Sequence, residues 1–250
     1  MSTSIVAVSY LNTTPFIYGI QEKLSSSEFE LSLEHPANCA SNLLERKADI
    51  GLVPVAVIPQ LIDYKVISNY CIACDGEVET VCLYSEVPLN EIEVIYLDYQ
   101  SKTSVALIKI LAKKFWKITP KWLVADANYI NDIKDTSAGL VIGDRAFNLA
   151  NKYKYTYDLG AEWKKFTNLP FVFACWVAKK EISEDCITQF NDALQFGIDN
   201  KKRLISELDH KANVYMFNYL ENRISFEIDA RKRQAIDLFL NYLSIPIINC

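Results

Sequence analysis

The sequence predicts an α/β protein of two lobes, with the second lobe inserted into the first. Three observations lead to this reading. Short apolar runs rich in β-branched residues alternate with stretches of helical periodicity, as in parallel sheets covered by helices. The alternation occurs over residues 5–73 and again over 94–151. Two extended passages, near 77–88 and near 170–178, join the two alternations. Together they predict lobe 1 as residues 1–85 plus 177–250 and lobe 2 as residues 86–176, with a ligand in the cleft between them.

The chain opens with IVAV (5–8), a buried strand, followed by the polar turn SYLNTTP (9–15). Thr13 or Thr14 suits a helix cap and Pro15 suits a first helical turn. Phe16, Ile17, Tyr18 and Ile20 give that helix an apolar side. EFELSLE (28–34) alternates as a strand does, and His35-Pro36 ends it. Residues 37–47 read as a helix with Leu43 and Leu44 facing inward. ADIGLVPV (48–55) is a buried strand turning at Pro54, 57–61 a short helical piece, and 64–73 holds another strand. EVETVCLY (77–84) is extended, and SEVPLNE after it is polar and hinge-like.

The second alternation runs strand 94–97, helix 103–115, strand 120–124, short helix 127–135 and strand 139–142. Gly143-Asp144-Arg145 then opens a helix through 151. Residues 155–160 lead into the amphipathic AEWKKFTNLP, and FVFACWVA (171–178) is a strongly apolar strand. Helical pattern fills the rest, over 183–200, 201–209, 211–222 and 228–244.

Composition excludes several function classes. Of 250 residues half are hydrophobic, and the formal net charge is −5 with no basic run. Nucleic acid is therefore not an expected partner. The first residues lack the basic, apolar and small-residue regions of a signal peptide. No apolar stretch approaches the ~18 residues of a membrane span. A cytoplasmic protein without a membrane partner is the expectation. The seven cysteines, an odd number, sit mostly in apolar segments and read as buried thiols of a reducing compartment. Cys71-Ile-Ala-Cys74 is a C-x-x-C, but it lies in a strand-like run with no second pair or His cluster to make a metal site. G-x-S-x-G, Walker, G-x-G-x-x-G and H-E-x-x-H patterns are all missing from the sequence.

The candidate site lies where strands deliver the chain to their carboxyl ends, the usual ligand edge of an α/β sheet. Asn12, after the first strand, offers both donors and an acceptor; satisfying its own turn is the plainer role. Tyr10 stands in the same turn. Ser101, Thr103 and Ser104 gather hydroxyls at the start of a helix, where free N–H groups and the helix dipole favour a carboxylate; simple capping accounts for them equally. Asn12 and this segment, one from each lobe, can grip opposite sides of a small acid. Thr80 lies on the first crossing passage, where a threonine is also an ordinary strand residue. Asp144 can touch a ligand, cap its helix or pair with Arg145. His35 ends a strand and can reach the cleft from there, though surface is its plainer place; His210 sits in charged helix-end sequence and reads as surface.

Five stretches in order, VSYLNTTPF (8–16), ADIGLVPV (48–55), SKTSVAL (101–107), LVIGDRA (140–146) and YDLGAEWKKFTNLPFVFACW (157–176), carry a resemblance. The chain resembles the MqnA family, chorismate dehydratases of the futalosine route to menaquinone. The last stretch is the most specific. Departures are Lys102 for an expected Arg, Asn168 for Gly and Thr80 for Ser. The resemblance implies a periplasmic-binding-protein-like type II fold. It implies loss of water from chorismate to give 3-[(1-carboxyvinyl)oxy]benzoate, without a metal or organic cofactor. On this footing Asn12 is the candidate catalytic residue, and Tyr10, Thr80, Ser101, Thr103, Ser104 and Asp144 are candidate substrate-binding residues. Two other readings stand beside it: a non-catalytic binder of a small carboxylate, and the sibling enzyme that forms dihydroxynaphthoate. The sibling relies on a histidine in the second lobe, and no His occurs between residues 36 and 209.

Overall fold

The computed structural model describes residues 2–208 and 218–244. In chain order the elements begin with β1 (Thr3–Val8), α1 (Thr14–Lys23), β2 (Phe29–Glu34), α2 (Pro36–Leu44), β3 (Ile50–Pro54) and β4 (Tyr64–Cys74). Then come β5 (Val81–Ser85), β6 (Val94–Leu97), α3 (Lys102–Leu111), β7 (Lys121–Val124), β8 (Ser137–Ile142), β9 (Tyr155–Asp158) and α4 (Leu159–Thr167). The chain continues with β10 (Phe171–Lys179), α5 (Glu184–Asp199), α6 (Lys201–Leu208), β11 (Ser225–Glu227) and α7 (Ala230–Ser244). The predicted helix over 211–222 and the surface position of His210 fall largely or wholly outside the described residues.

Two compact units result. The first comprises Met1–Ala73 and Val172–Asp229 and holds a six-stranded sheet in the order β11-β4-β10-β3-β1-β2. β1 pairs in parallel with β2 and β3, while β10 runs antiparallel to β3. Ile5, Val6, Ala7 and Val8 of β1 and all five residues of β3 are buried, as strands covered on both faces require. Phe16 anchors the core with edge-on contacts to Trp176 and Phe226, ring centroids 5.8 and 5.4 Å away. Helices α1 and α5 meet backbone to backbone. A Cβ on Gly19 would lie 1.9 Å from the Ala193 carbonyl oxygen, and one on Gly197 1.9 Å from that of Pro15. Only glycine allows this approach.

The second unit comprises Cys74–Phe171 and the chain from Ala230 onward. Its five-stranded sheet has the order β7-β6-β8-β5-β9. β6 is parallel to β7 and β8, and β5 is antiparallel to β8 and β9. The unit boundaries fall at 73/74, 171/172 and 229/230, so α7 groups with the second unit, whereas the sequence suggested the first. The cause is aromatic packing: buried Trp163 of α4 meets Phe171, Phe239 and Tyr242 edge-on, with centroids 5.2, 6.2 and 6.3 Å away.

Local departures have local causes. Leu44, the last residue of α2, is 39% exposed while Leu43 is fully buried, since adjacent helical residues point about 100° apart. The strand expected from residue 77 begins only at Val81, since Asp158 pulls residues 78–79 into a loop. The helical pattern expected from Gly143 forms a 3-10 segment, Gly143–Leu149. β9 and β11, four and three residues long, were not apparent as strands in the sequence. Cys71 and Cys74 are buried on β4. Among the described residues no helix is long and apolar enough to cross a membrane.

Candidate functional site

In the first unit the site residues sit in one turn. β1 delivers the chain to Tyr10, the N-cap of a short 3-10 turn, Leu11–Thr13. Thr13 does occupy the cap position of α1, but it makes no side-chain cap bond. Its hydroxyl turns back instead, shared between the Val8 carbonyl at 2.5 Å and the Tyr10 carbonyl at 2.6 Å. Pro15 stands in the first turn of α1. The turn is thus closed by Thr13, and Asn12 is not needed to satisfy it. The half-buried Asn12 donates from Nδ2 to the Tyr219 hydroxyl at 3.2 Å. Tyr10 is half-buried, its ring centroid 6.2 Å from that of the exposed His35.

In the second unit the remaining candidates share one sheet edge. β6 and β8 are parallel, so their carboxyl ends lie together, and antiparallel β5 brings its first residues to the same edge. Val81 pairs with Ile142, and the Thr80 carbonyl accepts from Gly143 N at 2.9 Å. Thr80 is buried beside the segment that carries Asp144. After β6 the chain runs through Asp98 to Ser101, the N-cap of α3. Ser101 Oγ accepts from Ser104 N at 3.2 Å and lies 3.1 Å from Ser104 Oγ. Ser101, Thr103 and Ser104 are all buried. The Ser101 and Ser104 hydroxyls therefore meet at the start of α3, with buried Thr103 in the same first turn, at the carboxyl edge of β6 and β8. Lys102, the departure within this motif, is exposed.

Arg145 does not pair with its neighbour Asp144. Its Nη2 reaches the buried Asp98 carboxylate at 2.6 Å and Gln100 Oε1 at 3.0 Å. Asp98 also accepts from the Tyr129 hydroxyl, from Ile142 N and from Gln100 N. Burial first, and then the Asp98 charge, push the Tyr129 phenol well above its ordinary range.

The sequence missed two supports of the site. Asp158 caps α4 through Ala161 N and accepts from Val78 N at 2.9 Å and Glu79 N at 2.6 Å. It holds the loop ahead of Thr80, where Glu79 takes a φ of 63°. Burial raises the Asp158 carboxyl above its ordinary value, against the pull of these N–H donors. Tyr219 is the other. Asn168, in place of an expected glycine, ends α4 in the left-handed region at φ 59°. That conformation favours Gly and tolerates Asn, which explains the departure. Among the described residues no group of three or more His, Cys, Asp and Glu could hold a metal ion.

The fold is that of the periplasmic-binding-protein class. Protein AF1704 of Archaeoglobus fulgidus superposes with a TM-score of 0.75 at 12% identity, covering 97% of each chain. The aliphatic sulphonate binding protein SsuA of Escherichia coli does so at 0.57 and 15%, covering 98% of this chain and 94% of its own. A Candida albicans protein described as having the generic periplasmic binding protein fold gives 0.61 and 12%, covering 98% and 95%. These likenesses concern the fold. The family is set by sequence: the profile of the menaquinone biosynthesis family matches residues 3–244. The chain belongs to that family.

Proposed function

We propose that the chain is a chorismate dehydratase, a carbon–oxygen lyase that converts chorismate to 3-[(1-carboxyvinyl)oxy]benzoate and water on the futalosine route to menaquinone. The observation that carries the reading is the buried Ser101, Thr103 and Ser104 cluster at the start of α3, in a chain of the menaquinone biosynthesis family. Chorismate is a dicarboxylate, and this cluster presents donors without a full charge. The reading includes a cytoplasmic location, a small-molecule substrate and no nucleic-acid partner.

The chemistry asks for orientation more than for a strong base. The proton leaves the carbon that bears the enolpyruvyl ether, acidified through the ring diene by the carboxylate. The hydroxyl leaves the adjacent carbon, and the proton and hydroxide depart as water. Aromatisation drives the step. Asn12 acts on the departing hydroxyl. Ser101, Thr103 and Ser104 bind a carboxylate, with Tyr10, Thr80 and Asp144 completing the substrate contacts. The second carboxylate of the substrate serves as base, consistent with a sequence that has no His between 36 and 209.

Incubating the purified protein with chorismate and following aromatic product by absorbance and mass tests the reading. Stoichiometric product supports it. Binding of chorismate without product would make the chain a binder. Turnover of a cyclic futalosine derivative instead would make it the sibling enzyme.

A further inference from the structure

We infer that Tyr219 is the positioning residue of Asn12, fixing the carboxamide so that its oxygen is presented to the ligand. The inference rests on the reading of Asn12 as the catalytic residue. Tyr219 is 1% exposed and opens a π-helical turn, Tyr219–Arg223. Such turns are rare and recur at functional sites. The turn is tied to α6, where Lys201 Nζ donates to the Leu220 carbonyl at 3.3 Å and pairs with Glu221 at 3.6 Å. Lys201 also lies 5.5 Å from the Phe226 ring, itself packed on Phe16. Tyr219 is therefore a buried residue of the first unit, at the head of a turn tied to α6.

The bond runs from Asn12 Nδ2 to Tyr219 Oη across 207 positions of sequence. A carboxamide has two N–H donors and one acceptor oxygen. One N–H given to Tyr219 sets the amide plane and puts Oδ1 on the opposite side of the amide carbon. Among the described residues nothing donates to Oδ1. A fixed amide with a committed donor and an uncommitted acceptor suits a ligand hydroxyl, which brings its own proton. A freely rotating Asn12 would present donor and acceptor alternately and lose the advantage of a preorganised group.

Tyr219→Phe removes the acceptor and keeps the ring. Expected is a fall in chorismate turnover of about tenfold, the worth of one neutral hydrogen bond, with KM and thermal midpoint close to wild type. The double variant with Asn12→Ala should be no slower than Asn12→Ala alone, since the two residues act as one unit. Unchanged turnover in Tyr219→Phe, or losses that multiply in the double variant, would overturn the inference. A second readout needs no turnover and keeps the inference separate from the reaction. In ¹⁵N-labelled wild-type protein one Asn12 Nδ2 proton should exchange more slowly than its geminal partner. Equal exchange of the two overturns the positioning role whatever the substrate. Absence of chorismate turnover in wild type, with unequal exchange, would sink the functional reading and leave the Asn12–Tyr219 pairing standing.

Discussion

Asp98 and Arg145, 47 positions apart, form an ion pair at 2.6 Å in which the Asp98 side chain is fully buried and that of Arg145 is 29% exposed. The carboxylate is also the meeting point of Tyr129, Ile142 and Gln100 donors. It therefore locks the ends of β6 and β8 and the loop that leads to Ser101. Removing Asp98 leaves Arg145 unpaired and takes the acceptor from the Tyr129, Ile142 and Gln100 donors. Asp98→Ala should cost about 3–5 kcal/mol in urea unfolding. Asp98→Asn, which keeps an acceptor oxygen, should cost less. A loss below about 1 kcal/mol for Asp98→Ala would mean that the pair carries no more than a surface bridge does.

Ser101 and Thr103 separate capping from binding. Ser101 Oγ receives the Ser104 N–H, so Ser101→Ala should lower thermal stability by about 1 kcal/mol, the usual worth of an N-cap. Thr103 lies inside α3 and is not its cap. Thr103→Ala should instead weaken chorismate binding by about 1–3 kcal/mol if a charge-assisted bond is lost. Calorimetric titration beside a melting curve checks both. An effect of Thr103→Ala on melting alone would remove it from the site.

Gly19 governs the packing of α1, the helix that follows the Asn12 turn. Its missing Cβ would sit 1.9 Å from the Ala193 carbonyl oxygen. Gly19→Ala must push α1 and α5 apart, and about 1–3 kcal/mol of stability should go with it. Helix propensity alone favours Ala by roughly 1 kcal/mol, so a stabilised variant would show that the two helices part freely.

Asp49 supplies a pH dependence of known sign. Burial tends to raise its carboxyl, but hydrogen bonds from Lys179 and from Ser4 outweigh burial and hold it below its ordinary value of 3.8. The folded state thus favours the ionised form. Its contribution is complete above the unfolded value and fades as pH falls through the lower folded value. Wild type should lose stability below about pH 4 more steeply than Asp49→Asn, in urea unfolding measured at each pH. Parallel acid profiles for the two proteins would remove Asp49 from the acid response.

Periodicity and chemistry along the chain determined a good part of this protein. The apolar runs of β1, β3, β6, β8 and β10, the helical patterns of α1, α3 and α5, and the hydroxyls at the start of α3 are local properties. Each rests on alternation or capping within a few residues. Tertiary structure alone decided the rest. β9 and β11 are too short to show a pattern and exist through the strands they pair with. The grouping of α7 depends on where Trp163 meets Phe239. Arg145 chose Asp98 over adjacent Asp144 because β6 and β8 run parallel and bring their ends together. Tyr219 reached Asn12 from the far end of the chain. Hydrogen bonds and ion pairs act over about 3 Å of space, and which residues come that close is set by topology, not by neighbourhood in the sequence.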